Sequence, residues 1–209
     1  MAPRPEEATP VLRRAEYAQA TRQAILDAAR ELFVRQGYFG TKVEEIARTA
    51  RVAPATVYAV GGGKHGLLRT LIESGTTAED IAGILATMKA IEEPRELVLF
   101  MVRATRVTFE RWADLMRQVA AAAPQEPTVR ETQRIAHESM RGGLGYAAGR
   151  LAEMGALRED VDVDRATDLF WLHLCNSAYF IRTDDLGWSL DESEAWLAET
   201  LPRALLAHP

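Results

Sequence analysis

The sequence has a single cysteine, Cys175, among its 209 residues. One cysteine cannot form a disulfide within the chain, so a fold held together by disulfide bridges is excluded and a reducing compartment is expected. The longest uncharged apolar run, Leu169 to Ile181, is too short to cross a bilayer and contains the polar residues His173 and Asn176. Since the N-terminus also lacks an apolar signal segment, we expect a cytoplasmic protein with no membrane partner.

The residue patterns of the common enzyme classes are absent as well. The sequence contains no HExxH, GxSxG or cysteine cluster, and its four histidines include no pair four residues apart that could hold a metal on one helix face. The three glycines at 61–63 precede Lys64, but a P-loop would also need glycine at Tyr58 and serine or threonine at His65. We therefore predict no enzyme activity, no cofactor and no metal site.

Charge is unevenly distributed along the chain. The net charge is −5, which taken alone argues against a nucleic-acid partner. Residues 1–75, however, carry 11 Lys and Arg against 8 Asp and Glu, whereas the remaining residues carry 14 against 22. A mildly basic first part followed by an acidic body is typical of a small DNA-reading domain joined to a ligand-sensing domain.

Residues 41–64 have the spacing of a helix-turn-helix. Thr41 and Glu44 fit a capping box, in which the threonine hydroxyl and the glutamate carboxylate satisfy free backbone N–H groups at a helix start. One apolar stripe follows at helical spacing, formed by Val43, Ile46, Ala47 and Ala50. After a break at residues 51–53, Pro54 stands where the first turn of a second helix tolerates proline.

The second helix is predicted at about residues 53–59, and its first residues have small side chains. Small side chains at the start of a second helix allow it to enter the major groove of DNA. Lys64 lies at the N-terminal end of the next predicted helix. Free backbone N–H groups and an ammonium group at such a position form an anion site that suits a DNA phosphate.

These residues and the helix before them resemble the DNA-binding domain of the TetR family of transcriptional regulators, over about residues 20–75. The matching positions are Ile25, Ala28, Phe33, Gly37, Tyr38, Thr41, Val43, Ile46, Ala47, Val52, Thr56, Tyr58, Lys64, Leu67 and Leu68. Two positions depart from the family pattern. Arg51 stands where the turn usually has glycine, which predicts a modified turn geometry. Residues 59–63 replace an aromatic pair and a short polar turn, which removes an apolar anchor of the second helix.

The resemblance implies which residues contact DNA. Thr56 and Tyr58 are expected to touch bases or backbone, and Arg51 to add a cation near the groove. Thr41 and Lys64 are expected to contact phosphates. The complete predicted interface consists of Thr41, Lys42, Arg51, Ala53, Pro54, Ala55, Thr56, Tyr58 and Lys64.

Three segments follow from these patterns. Residues 1–19 contain three of the nine prolines and no apolar period, which predicts a flexible arm. With Arg13 and Arg14, this arm is either a solvated terminus or a basic tail that touches phosphate or the minor groove. A helix-turn-helix DNA-binding domain is predicted at residues 20–75, and an effector-binding and dimerisation domain at residues 76–209.

The C-terminal domain is predicted to be a helical bundle. Its helices are predicted at about residues 95–123, 128–154 and 164–182, with a last helix after Ser189. Asp162 or Asp164 fits the N-cap of the third of these, and Ser189 with Glu192 fits a capping box for the last. Glycines 142, 143, 145 and 149 predict either close helix packing or a segment that moves when a ligand binds.

The predicted helix at residues 164–182 is apolar on nearly every side, so it must be covered on every side. The last helix also carries a row of leucines. Two antiparallel helices with a spare apolar face fit an isologous four-helix interface. We therefore predict a homodimer formed through the two C-terminal helices, as the TetR resemblance also implies.

Several residues of this domain are candidates for an effector pocket. They are Phe100, Trp112, Met116, His137, Met140, Trp171, Cys175, Asn176 and Tyr179. Aromatic and methionine side chains with a few polar groups suit a pocket for an apolar small molecule, but the same residues at helical spacing also form an ordinary core. His137 and Asn176 are polar within apolar stretches, so each needs a partner, which either a ligand or a backbone carbonyl could provide.

The sequence therefore predicts an all-α protein with an N-terminal three-helix helix-turn-helix domain and a C-terminal helical bundle. The predicted function is that of a sequence-specific transcriptional repressor that binds a palindromic operator in double-stranded DNA. A small apolar or amphipathic effector would control its DNA affinity by binding better to one arrangement of the dimer. The alternative is a ligand-binding or scaffold protein whose helix-turn-helix no longer reads DNA, and Arg51 and the three glycines leave room for it.

Overall fold

The structure, a computed structural model, describes residues 10–74 and 78–208. Within these ranges the regular structure is helical, apart from an isolated antiparallel bridge between Leu157 and Leu206. The described residues form two compact units. Among the described residues, the first contains 10–74 and 118–130, and the second contains 78–117 and 131–208. The all-α fold predicted from the sequence is confirmed.

The first unit is built on four helices. They are α1 (Pro10–Gly40), α2 (Val43–Thr49), α3 (Pro54–Gly61) and α4 (Lys64–Glu73). Helix α1 contacts α2 and α4, and α3 contacts α2 and α4. Their buried side chains include Ile25, Phe33, Ile46, Val57 and Leu67, each fully enclosed. This apolar centre fixes α2 and α3 as a pair.

The second unit contains the remaining helices. They are α5 (Ala78–Ala90), α6 (Pro94–Ala122), α7 (Pro127–Glu153), α8 (Val163–Leu174), α9 (Asn176–Phe180) and α10 (Leu190–Leu205), with a π-helical turn at Ile181–Asp185. The last residues of α6 and the first of α7 belong to the first unit. Residues 118–130 were predicted as part of the C-terminal domain, and their grouping with the first unit was not predicted.

The helix starts in this unit follow the local sequence signals. Asp162 accepts a hydrogen bond from the backbone N–H of Arg165 at 2.8 Å, which confirms its predicted role as N-cap of α8. Ser189 accepts from the N–H of Glu192, whose carboxylate accepts from the N–H of Ser189, which confirms the capping box of α10.

The predicted arm at residues 1–19 is wrong for its second part. Helix α1 begins at Pro10, so residues 10–19 are helical, while residues 1–9 lie outside the described chain. Proline is tolerated in a first helical turn because its missing N–H would have no partner there. The exposed residues from Arg14 to Ala20 give this part of α1 no buried face, which is why the sequence shows no apolar period.

The single helix predicted at residues 164–182 is also wrong. Cys175 has extended backbone angles (φ −67°, ψ 159°) and separates α8 from α9. Its N–H closes α8 on the carbonyl of Trp171, and its carbonyl accepts from the N–H of Tyr179 in α9. The sequence has neither glycine nor proline at this point, so its apolar pattern did not indicate the break.

The glycines of α7 do not pack in the way the sequence suggested. A Cβ atom added at Gly142, Gly143 or Gly149 would meet no atom of the described chain within 4 Å, and one added at Gly145 would only touch Thr167. Close packing within the chain is therefore wrong for three of these four positions.

Glycine is required where α3 meets α4. A Cβ atom added at Gly66 would lie 1.8 Å from the carbonyl oxygen of Gly61, and one added at Gly61 would lie 2.4 Å from Cδ2 of Leu67. Between them, Gly62 ends α3 with a left-handed φ of 66°. The glycines at 61–63 thus allow the two helices to approach backbone to backbone, which provides an anchor other than the aromatic pair.

None of the helices in the described ranges has both the length and the apolar character that a membrane crossing requires.

We predict that Gly66→Ala lowers the free energy of unfolding by at least about 2 kcal/mol, because the new methyl group collides with backbone that cannot move aside alone. Urea unfolding measures this loss. Gly62→Ala is the control. Its Cβ meets nothing within 4 Å, so only the left-handed φ is strained and a loss of about 1 kcal/mol is expected. Equal losses in the two variants would contradict the role assigned to the α3–α4 contact.

Candidate nucleic-acid interface

The first helix of the motif begins one residue later than the sequence predicted. Lys42 is the N-cap of α2, and its backbone N–H donates to the carboxylate of Glu45 at 3.2 Å. The hydroxyl of Thr41 instead donates to the carbonyl of Gly37 at 2.8 Å, and Thr41 is 1% exposed. Thr41 is therefore neither the cap nor a side chain that reaches a phosphate, because its hydroxyl is buried against the end of α1.

The carboxylate of Glu45 is held by several donors. Besides Lys42, the side-chain amide of Gln36 donates to it at 2.9 Å. The backbone hydrogen bond from Lys42 and then the Gln36 bond lower the pKa of Glu45. A fixed negative charge in the first turn of α2 complements the positive end of the helix dipole, so the helix start is well defined.

The turn between α2 and α3 keeps the glycine-type conformation although it contains arginine. Arg51 has a φ of 57°, in the left-handed region that favours glycine. The N–H of Val52 donates to the carbonyl of Ala47 at 2.9 Å and closes the turn. The expected change of turn geometry is therefore not seen. Arg51 instead adopts a strained conformation and leaves its side chain exposed.

The start of α3 is accessible. Ala53 is the N-cap and Pro54 the first helical residue, as the sequence predicted. Ala53, Pro54 and Ala55 are exposed, and Thr56 is half-buried. On the same helix Val57 is fully buried, whereas Tyr58 is 53% exposed. One buried side chain anchors α3, and the residues before and after it face outward.

Lys64 is bound more tightly to its own domain than the sequence indicated. Its Nζ donates to the carbonyl oxygens of Tyr38 at 3.0 Å and Thr41 at 3.5 Å, and it lies 4.4 Å from the centre of the Tyr38 ring. An ammonium group has three protons, so one remains for another acceptor. A phosphate contact by Lys64 stays a prediction.

The buried ring of Tyr38 helps to hold the ammonium group of Lys64. Its ring lies 5.6 Å from that of Phe33 and is buried. Burial, followed by the charge of Glu126, raises the pKa of Tyr38 to about 12. The phenol is therefore neutral at physiological pH, and its ring forms a cation–π contact with the ammonium group of Lys64.

These elements enclose a shallow depression of about 350 Å³ on the first unit. Its lining includes Thr41, Lys42, Val43, Glu44, Tyr58, Gly62, Gly63, Lys64 and His65. It joins the start of α2, the exposed side of α3 and the start of α4. Sequence reasoning missed His65, although its place directly after Lys64 at a helix start was a usable signal.

The candidate effector residues lie in the second unit, five of them in or against its core. Tyr179 is fully buried and stacks on Phe109, with ring centres 4.4 Å apart. Four further candidates pack against the same core while remaining partly exposed: Phe100, Met116, Met140 and Trp171. Trp112 and Cys175 are buried. These positions agree with a core and leave the predicted ligand role untested.

The polar candidates are half-buried. The His137 ring meets the Trp171 ring edge to face at 5.1 Å, and burial lowers the pKa of His137. Asn176 begins α9 directly after the Cys175 break. In the same region Arg182 is buried, and sequence reasoning missed it because the acidic residues that follow suggest a solvated turn.

A short helix, a tight turn and a second helix with an exposed start define the first unit as a helix-turn-helix domain. The sequence profile described as bacterial regulatory proteins, tetR family, matches residues 25–71. The chain is 38% identical over 86 residues to the HTH-type transcriptional regulator BetI of Rhizobium meliloti, a match that covers 40% of this chain and 41% of BetI. It is 42% identical over 52 residues to YvkB of Bacillus subtilis, covering 25% and 28%. The matches span less than half of these relatives.

Solved structures resemble almost the whole chain. The SmeT–triclosan complex is 20% identical, with a TM-score of 0.73 over 90% of this chain and 92% of SmeT. A transcriptional regulator from Saccharomonospora viridis in complex with choline is 19% identical, with a TM-score of 0.71 over 91% and 100%. At these identities the likeness shows the fold alone. The match at the helix-turn-helix confirms that residues 25–71 resemble the TetR family, and the solved structures share the fold of almost the whole chain.

We predict that Arg51→Gly raises the free energy of unfolding by about 0.5–1 kcal/mol, because glycine relieves the left-handed strain and loses only part of the gain to its flexible unfolded state. Thermal unfolding measures the change. Arg51→Ala removes the same charge and keeps the strain, so no gain is expected from it. If the alanine variant gains as much as the glycine variant, charge rather than backbone strain is the cause.

Proposed function

We propose that this protein is a transcriptional repressor that binds a palindromic operator through α3 and the depression beside it. The observation that carries the proposal is the exposed run at the start of α3, from Ala53 to Ala55, with Tyr58 one turn further along. Short side chains allow the helix backbone to approach base edges, and a tyrosine hydroxyl is a common donor to phosphate.

The positive groups around this run support the proposal. Lys42 and Arg51 are exposed on either side of α2, and the first turn of α4 with Lys64 borders the same depression. Cations and free N–H groups in this arrangement suit the DNA backbone, which contributes most of the sequence-independent affinity. Lys42, Arg51, Thr56 and Lys64 are therefore proposed as contacts, together with the start of α3.

We also propose that the protein is a homodimer formed through α8 and α10. These helices contact each other and carry exposed apolar side chains, with Leu172 62% and Trp196 39% exposed. An isologous pair of such faces forms a four-helix interface. It would place two reading helices roughly 34–36 Å apart, about one turn of DNA.

Control by a small effector in the second unit completes the proposal. The structural relatives SmeT and the Saccharomonospora viridis regulator are complexes with triclosan and choline, respectively. These are chemically unlike ligands, so they support a ligand site in this fold and not a particular compound. The aromatic and methionine side chains of the core, Phe100 and Trp171 among them, suit an apolar body.

Selection of bound duplexes from a random DNA pool, at two salt concentrations, tests the function. A palindromic consensus, bound more weakly at the higher salt, is expected for a dimeric reader that neutralises phosphates. Binding without a consensus at either salt would instead support a helix-turn-helix that no longer reads DNA.

With that operator in hand, we predict that Tyr58→Ala weakens binding at least about tenfold, because each half-site loses one contact. Fluorescence anisotropy measures the affinity, and circular dichroism checks that the fold is retained. Tyr146→Ala is the matched control, since Tyr146 is a partly exposed tyrosine of α7 outside the motif. Wild-type affinity in Tyr58→Ala, or an equal loss in Tyr146→Ala, would contradict the proposed interface.

A further inference from the structure

A buried arginine lies among aromatic rings in the second unit. Arg182, in the π-helical turn, is 5% exposed. Its Nε donates to the hydroxyl of Ser193 at 2.7 Å, and its guanidinium carbon lies 4.5 Å from the centre of the Tyr179 ring and 5.9 Å from that of Trp196. Its Nη2 is buried without a hydrogen-bond partner among the described residues. Nε of the guanidinium is therefore held by Ser193, while Nη2 has an unused donor.

The neighbouring arginines are paired with carboxylates. Arg106 forms ion pairs with Asp191 and Glu194, and Arg117 bonds both carboxylate oxygens of Asp184. Within the described ranges Arg182 has no such pair, although it is the most buried of the three. Buried charges in proteins are normally paired, since an unpaired one loses its hydration without compensation. Arg182 is thus an exception within its own domain.

The surrounding side chains do not supply the missing negative charge. Burial raises the pKa of Tyr179, so its phenol stays neutral at physiological pH, and its hydroxyl lies 3.4 Å from that of Thr105. Ser193 is neutral as well. The ring faces attract the guanidinium only weakly in comparison with a carboxylate. Burial also lowers the pKa of Arg182, but an arginine side chain remains protonated in proteins.

The backbone at this point is irregular on both sides. The helix breaks at Cys175, before Tyr179, and the turn that carries Arg182 is π-helical. Irregular helical turns of this type occur often at functional sites. Asp184 of the same turn is bonded to Arg117 of α6, so the turn is connected to the longest helix of the second unit.

We propose that Arg182 anchors a carboxylate group of the effector beside the ring of Tyr179. The inference rests on the effector control proposed above and names the chemical class of that effector. One guanidinium charge with an unused Nη2 donor matches a singly charged carboxylate, whereas a phosphate dianion would leave a second negative charge uncompensated. The same positive charge disfavours cationic ligands at this position.

Isothermal titration calorimetry on the full chain without DNA tests the proposal. Two carboxylate probes are each compared with their neutral alcohol, decanoate with decan-1-ol and 1-naphthoate with 1-naphthalenemethanol. At least one carboxylate is expected to bind at least about tenfold more tightly than its alcohol, and the pair that shows the preference tells a fatty from an aromatic body. If neither carboxylate binds, or if each alcohol binds as tightly as its own carboxylate, the proposal is wrong.

Substitutions of Arg182 separate charge from structure. Arg182→Met should reduce the preference for carboxylate to within about twofold, while Arg182→Lys should retain part of it. The control Arg134→Met, at an exposed arginine paired with Glu131 and Glu138, should keep the wild-type preference. Retention of the preference in Arg182→Met, or equal loss in the lysine variant, would overturn the assignment.

The melting temperature of the free protein gives a test that needs no ligand. Because the charge of Arg182 is uncompensated, the double variant Arg182→Met, Ser193→Ala should have a higher melting temperature than the wild type. A lower melting temperature would show that Arg182 is a structural residue and would overturn the proposal. Since none of these measurements uses DNA, they distinguish failure of the proposed carboxylate site at Arg182 from failure of operator binding.

Discussion

Three helices of the first unit meet at the ammonium group of Lys64. It donates to the carbonyls of Tyr38, in the last turn of α1, and Thr41, before α2, while its own backbone begins α4. Carbonyls in such a partly buried place need donors, so one side chain fixes the entry to α2 and the start of α4 together. Helix α3 lies between them with only one buried residue, Val57. The position of α3 therefore depends on its two neighbours more than on its own packing.

The sequence predicted best where the physical requirement is local. Pro54 in a first turn, and Ser189 with Glu192 at a helix start, each need only residues a few positions away, and the structure confirms them. Thr41 shows the limit. Thr41 was predicted to cap α2, but Lys42 does so. The chain kinks at Gly37, and the carbonyl of Gly37 accepts a hydrogen bond from the Thr41 hydroxyl, which is therefore not available as a cap. That choice depends on the path of the chain, which spacing alone does not give.

The second unit was predicted less well because its signals are apolar. A continuous apolar run indicates burial, but it does not distinguish one helix from two, and the break at Cys175 therefore left no trace in the pattern. Arg182 was overlooked for the opposite reason, since its charge and the aspartates after it resemble a solvated turn. Whether such a residue is enclosed depends on α10, which supplies Ser193 and Trp196 from another part of the chain. In the structure, five of the predicted effector residues lie in or against the core, and the role of all nine in binding a ligand remains a proposal.

The close approach of Gly61 and Gly66 has a consequence for engineering. A helix transplanted from another protein in place of α3, with any side chain at the position of Gly61, would collide with Leu67. Gly66 also packs against the carbonyl of Gly61, and the end of a different helix would put that carbonyl in another place. Helix α3 therefore cannot be exchanged on its own. The smallest segment that could be exchanged intact runs from Pro54 to Leu71, with the glycine junction inside it.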